Sequence, residues 1–383
     1  SEQYACRQLA DRGIGYGMPG TVVDGNDLLA VHRAVRRAAE EARRGEGPSL
    51  LEFETFRVRG HEEASGTDYV PDALLEEWER KDPVARYEAF LLEKELLGKS
   101  DFETIRAGYK ERIDLLVDEA LAAPEPRSTP EEKIADVFAP SLLVPRGPGD
   151  ESPSTERRYV DAISDGLRSV MRRDERVVLL GQDIAEYGGV FKVTRGFVEE
   201  FGKARVRNTP IIESGAIGAA LGLALGGYVP MVEMQFGDFI TCGFNQIVNN
   251  LAKTHWRWGE RIPVVLRVPV GGGVGAGPFH SQNVESWFTS VAGLKVVAPA
   301  TPWDAKGLLI SAFEDGNPVL YLEHKLLYRS ARGPVPEGHY SLPLGRARVA
   351  RVGRDATIVT YGVGVRWALN AGEAFAGDDI EIE

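Results

Sequence analysis

The chain has 383 residues, 43% hydrophobic and 27% charged, an ordinary globular composition that excludes a disordered polypeptide and leaves room for two or three domains. A formal net charge of -12 argues against non-specific nucleic-acid binding, because phosphates would be repelled. Two cysteines, Cys6 and Cys242, give no disulfide framework, and six histidines without ligand spacing give no metal site. The first residues are polar, so no signal peptide is expected. The window 214–232 carries no charge, but Gly226, Gly227 and Pro230 interrupt it, so it reads as helix, turn and strand rather than a membrane span. The expectation is a cytoplasmic protein that contacts neither membrane nor nucleic acid.

In chain order, 21–23 reads as a short strand stopped by Asp24-Gly25, and Asn26 is placed to cap a helix over 27–44. Leu28, Val31, Val35 and Ala38 recur at helical spacing, and Gly45 and Gly47 end the run. A strand is expected over 49–58, then a polar loop over 60–69, then charged helices over 78–97 and 101–122. The stretch 123–153 holds seven prolines, which remove amide donors and fix the backbone, so it reads as a largely irregular linker. An apolar stretch at 137–144 within it is expected to dock on a domain.

After the linker, Thr155 is placed to cap a helix over 156–173. Strands at 177–180, 229–234, 264–268, 295–297 and 319–322 alternate with helices at 214–225, 239–257 and 302–315. Strands alternating with helices imply a parallel sheet covered on both faces, an α/β fold. A further α/β unit starts near Ala356. The chain begins without methionine and stops in an Ile-Glu-Ile-Glu run, so both ends read as cut.

Three stretches hold candidate chemistry. Asn208-Thr-Pro-Ile-Ile-Glu213 sets one carboxylate at a helix start, where Ile211 and Ile212 would raise its pKa by desolvation and the helix dipole would lower it. An ordinary first-turn glutamate fits the same pattern. The following helix carries Gly215, Gly218, Ala219 and Gly222 on one face, suited to a tight helix contact between subunits or to packing on its own sheet. Gly271-Gly-Gly-Val-Gly-Ala-Gly-Pro-Phe-His280 follows a strand, where parallel sheets bind ligands, and delivers a histidine; no Walker-type lysine follows. Thr55-Phe-Arg57-Val-Arg59-Gly60-His61-Glu62-Glu63 sets two arginines on one face of a strand end beside a histidine, able to hold a diphosphate or carboxylate, or to form local ion pairs on a surface turn.

In order, Gly181-Gln-Asp183 to Gly188-Gly-Val-Phe191, Thr209 to Glu213, Val232-Glu-Met-Gln-Phe236-Gly-Asp238, His280-Ser-Gln282 and Leu294 to Pro299 with Asp304-Ala-Lys306-Gly resemble the beta subunit of pyruvate, branched-chain 2-oxo acid and acetoin dehydrogenases, over about 156–383. Gly15-Tyr-Gly-Met-Pro-Gly20, Val23 to Asp27, Arg57 to His61 and Asp82-Pro83 resemble the C-terminal half of the alpha subunit, over about 1–122. The resemblance implies a thiamine-diphosphate-binding, transketolase-like fold with parallel sheets flanked by helices and two domains joined by a Pro-rich linker. The implied division is 1–122 alpha-type domain, 123–155 linker, 156–345 beta-type pyrimidine-binding domain and 346–383 the start of a C-terminal domain.

The implied reaction is oxidative decarboxylation of a 2-oxo acid with reductive acylation of a lipoyl group on an acyltransferase component. Glu213 matches the glutamate that bonds the cofactor's aminopyrimidine, and Phe236 the aromatic residue that packs on it. His280 matches the active-site histidine near the substrate. Arg57 and His61 match the loop that contacts the diphosphate and assists acyl transfer. Thiamine diphosphate is the implied cofactor, with magnesium and a potassium site formed by backbone carbonyls. No Gly-Asp-Gly run followed about thirty residues later by paired asparagines, the signature that holds magnesium in this family, occurs in the sequence. Little cofactor binding is therefore expected without a complementary chain, and the natural protein is expected to be a fused chain forming a homodimer. Glu62 stands where animal relatives carry a regulatory serine, so kinase control is not expected there. The competing readings are another thiamine-diphosphate enzyme, transketolase or deoxyxylulose-phosphate synthase, and a non-catalytic assembly chain.

Overall fold

The computed structural model describes residues 4–62, 64–149 and 152–383. The chain divides into two compact units, Ser1–Pro126 and Arg127–Glu383. In the first, β1 (Gly20–Asp24) and β2 (Leu50–Glu54) pair in parallel, and α1 (Leu28–Arg43) connects them. Asp27, not Asn26, caps α1: its carboxylate accepts from the Ala30 amide at 2.9 Å. Asn26 is buried and engaged elsewhere, donating to the Lys81 carbonyl and accepting from the Thr55 hydroxyl. The strand expected over 49–58 stops at Glu54, where β1 also ends and the Gly25 amide closes the pair on the Glu54 carbonyl.

The helix expected over 78–97 is two helices, α2 (Asp72–Glu79) and α3 (Pro83–Glu93). Pro83 forces the break, because proline disfavours helical backbone at the preceding residue and suits a first helical position. Asp82 caps α3 by accepting from the Val84 and Ala85 amides. The charged helix α4 (Lys99–Ala122) follows.

In the second unit the proline-rich stretch holds one short helix, Pro130–Ala135, begun by a Thr129–Glu132 capping box. The apolar stretch after it docks, as its composition suggests. The Ala139 backbone exchanges two bonds with the Asn317 amide, and the Leu142 amide donates to the Asp315 carbonyl. Thr155 does not cap a helix. It lies in β3 (Ser154–Arg158), paired antiparallel with β10 (Arg332–Pro336), and α5 (Tyr159–Arg173) begins after it. Local periodicity cannot reveal a pairing with so distant a partner strand.

The main sheet is parallel, in the order β5-β4-β6-β7-β9-β8. Its strands are β4 (Val177–Gly181), β5 (Val206–Asn208), β6 (Val229–Glu233), β7 (Val265–Val270), β8 (Lys295–Val297) and β9 (Val319–His324). Side-chain alternation splits the core over the two faces. Val177, Leu179, Met231, Val265 and Tyr321 pack beneath α5 and α8 (Pro302–Glu314). Val178, Leu180, Val232, Leu266 and Leu322 pack with Ala216, Ile217 and Ala220 of α6 (Glu213–Leu225) on the other. Burial on both faces explains the near-continuous apolar strand sequences.

The helix expected over 239–257 is broken into a 3-10 stretch, Gly237–Gly243, a π-helical stretch, Gln246–Leu251, and α7 (Ala252–Trp258). Gly243 packs closely on the Ile217 side chain of α6, where an added Cβ would press on the end of that side chain. Beyond the sheet, α9 (Val363–Phe375) lies in the chain between Ala356 and Ile382, which form an isolated parallel bridge. Among the described residues no helix is long and apolar enough to cross a membrane.

Candidate active site

Parallel strands deliver their C-terminal ends to one sheet edge, and most of the sequence-predicted residues of the second unit gather there. Gln182 follows β4, Phe236 and Asp238 follow β6, the glycine-rich loop follows β7, and Lys325 follows β9. Glu213 opens α6 shortly after β5, where unpaired helix amides favour a carboxylate. It is half-buried, and its Oε1 accepts from the Gln182 side-chain amide at 3.2 Å. Ile211 and Ile212 are 84% and 51% exposed, so they do not wall this carboxylate off from water.

Phe236 and His280 meet edge to face, with ring centroids 4.7 Å apart at 89°. Phe239 closes the group, 5.4 Å from His280 and 6.3 Å from Phe236, and Phe191 stands 5.7 Å from Phe236 on the other side. The glycines of the loop have a structural reason. Gly271 has φ +80° and its α-carbon lies against the His324 ring, so any side chain there would clash. Pro278–His280 then forms a 3-10 turn that presents the histidine.

Asp238 ties this loop down. It is buried, and its Oδ1 accepts from the Ser281 and Gln282 amides at 3.2 and 3.1 Å. Its Oδ2 is buried without a hydrogen-bond partner among the described residues. Lys325 is 3% exposed; its Nζ donates to the Pro269 carbonyl at 3.4 Å and lies 5.7 Å from the Phe236 ring centroid. Burial pulls its pKa down to about 8, against the opposing attraction of Asp238.

Arg267 lies deeper in the sheet, fully buried between two carboxylates. It makes a two-pronged bond to Glu323 at 2.7 and 2.6 Å and an ion pair with Glu233, and the Tyr328 hydroxyl donates to Glu323. Burial raises the Glu233 pKa against the attraction of Arg267. The strand register sets Glu233 opposite Arg267.

Arg57 and His61 belong to the first unit. The strand ends at Glu54, so Arg57 and Arg59 do not share a strand face. Instead the Arg57 Nε donates to the Arg59 carbonyl at 3.1 Å. His61 Nδ1 lies 3.1 Å from the Ser65 hydroxyl, which also donates to Glu62. Glu63 lies outside the described residues. The structure thus brings Phe236 and His280 into contact and sets Glu213 on Gln182, while Arg57 and His61 share an exposed loop.

An aminopyrimidine needs an aromatic surface and a carboxylate acceptor, and the aromatic group with Glu213 supplies both kinds. Among the described residues no three histidine, cysteine or acidic side chains gather to hold a metal ion. Sequence reasoning passed over Gln182, Phe239 and Lys325. One signal was available for Glu233, Arg267 and Glu323: single charges inside wholly apolar strands must be paired.

The model of the transketolase pyrimidine-binding domain matches residues 156–331, and that of the dehydrogenase E1 component matches residues 1–129. The 2-oxoisovalerate dehydrogenase subunit beta of Bacillus subtilis (strain 168) is 47% identical over 224 residues, covering 58% of this chain and 68% of that one. The pyruvate dehydrogenase E1 component subunit beta of Staphylococcus epidermidis (strain ATCC 12228 / FDA PCI 1200) is 45% identical over 226 residues, covering 58% and 70%. A solved split gene transketolase, an inactive beta4 tetramer, is 21% identical with a TM-score of 0.48, covering 60% of this chain and 70% of that one. The fold of the second unit is that of an α/β domain of the transketolase pyrimidine-binding type. The chain belongs to the thiamine-diphosphate-dependent E1 components of 2-oxo acid dehydrogenases, with alpha-type and beta-type parts in one polypeptide.

Proposed function

We propose that this protein carries out oxidative decarboxylation of a 2-oxo acid and reductive acylation of a lipoyl group borne by an acyltransferase component. The observation that carries the reading is the contact of Phe236 with His280 on the sheet edge that also holds Glu213. When bound, thiamine diphosphate supplies the electron sink for breaking the carbon–carbon bond. Glu213 accepts a hydrogen bond from the aminopyrimidine, with Gln182 orienting the carboxylate. Phe236 gives the ring an apolar surface to rest on. His280 holds a proton within reach of the substrate. Arg57 and His61 hold the diphosphate and assist transfer to the lipoyl arm.

Magnesium would accompany the diphosphate, although the described residues hold no cluster that would bind it, and backbone carbonyls of the beta-type part would hold potassium. The proposed domains are 1–122, 156–345 and 346–383, with 123–155 linking the first two. The proposed assembly is a cytoplasmic homodimer of the fused chain. The names of the two relatives support pyruvate and 2-oxoisovalerate as substrate classes. The test is dye-linked oxidation of both acids by the native gene product with thiamine diphosphate and magnesium, followed by mass analysis of an added lipoyl domain. The expected result is dye reduction and an acyl adduct on the lipoyl domain. Cofactor binding without turnover of either acid would overturn the proposal.

A further inference from the structure

Two charged side chains at the catalytic edge are buried and incompletely bonded. Asp238 spends one oxygen on the Ser281 and Gln282 amides, directly after His280, and leaves the other buried without a hydrogen-bond partner among the described residues. Lys325 makes one long bond to a carbonyl and faces the Phe236 ring. Each charge is costly to bury alone; the two make no direct ion pair within 4.0 Å among the described residues, but Asp238 is the opposite charge that acts on Lys325. Their elements converge there: Asp238 follows β6, Lys325 follows β9, and the Lys325 amide donates to Val270, the last residue of β7 before the glycine-rich loop.

We propose that Asp238 and Lys325 are positioning residues, a buried charge couple that holds the loop 277–282 and so fixes the His280 ring against Phe236 and Phe239. The Asp238 carboxylate grips two loop amides, and the buried Lys325 ammonium supplies the opposite charge beside it. Four positive-φ glycines, Gly271, Gly273, Gly275 and Gly277, make the loop pliant, so the histidine needs such an anchor. This role deepens the proposed function and rests on it only for its catalytic consequence.

The test reads geometry first, without cofactor. Edge-on packing against two phenyl rings gives the His280 imidazole a ring-current shift in histidine-labelled NMR spectra. In Lys325→Met and Asp238→Asn that resonance should move toward the free-histidine position while the His339 resonance and the circular dichroism stay put. Lys325→Arg should restore it. In the unsubstituted chain the His280 resonance should also inflect near pH 8, where Lys325 loses its proton, and the inflection should vanish in Lys325→Met. The groups facing Lys325 are Asp238, the Phe236 ring and the neighbouring His324. An unmoved His280 resonance in folded Lys325→Met and Asp238→Asn would overturn the proposal. In the native gene product with its cofactor, kcat should fall at least about tenfold with KM little changed. A shifted His280 with unchanged kcat would keep the latch and overturn the catalytic role of His280 instead.

Discussion

Burial holds Lys325 near pKa 8, against 10.5 for an exposed lysine, so the folded chain releases this proton before the unfolded chain does. Between these values the unfolded state binds more protons, and stability rises with pH. Relative to Lys325→Met, the unsubstituted chain should gain on the order of 2–4 kcal/mol from pH 8 to pH 10.5, read by chemical denaturation along a pH series. Parallel curves would show that the lysine titrates normally. Arg267 sets the opposite case, a charge whose loss strands two others. Arg267→Met leaves Glu233 and Glu323 facing each other in the core and should cost about 3–5 kcal/mol. The triple variant that also carries Glu233→Gln and Glu323→Gln should recover a large part of this, which urea unfolding will measure.

At the scale of elements, α6 separates two uses of small residues. Ala216, Ile217, Ala220 and Ala224 form its buried face, while a Cβ at Gly222 would meet nothing among the described residues and one at Gly218 would meet the Gln246 side chain. Gly222→Ala should therefore stabilise the chain by about 0.5–1 kcal/mol in thermal unfolding, because alanine loses less backbone freedom in a helix. Weaker self-association of that variant in sedimentation, with no loss of stability, would place a second subunit against this face. The strands β4, β6, β7 and β9 were legible because each is an apolar run bounded by turn residues. Strands β3 and β10 were not, because a polar strand and a proline-containing one gain their order from each other. The broken helix at 237–258 was not legible either, and nothing in its local sequence marks the 3-10 and π-helical stretches. Phe236, His280 and Glu213 were legible because family motifs carry them, whereas Lys325 shows its meaning only when β9 is laid beside β7.

At the scale of the whole molecule, the two units carry different kinds of side chain. The second supplies an aromatic group, one helix-start carboxylate and a pinned histidine on a single sheet edge. The first supplies a basic, histidine-bearing loop. The proposed reaction needs both kinds of group, and Glu213 is the residue on which the proposal depends most. The deciding measurement is 2-oxo acid decarboxylation by the native gene product, loaded with thiamine diphosphate and magnesium, beside its Glu213→Gln variant. The glutamine keeps the bond to Gln182 and the half-buried shape but removes the ionised acceptor. The prediction is a rate loss of roughly 10²–10⁴-fold with an unchanged unfolding midpoint. Undiminished decarboxylation by Glu213→Gln would contradict the assignment of this carboxylate, and with it the proposed site.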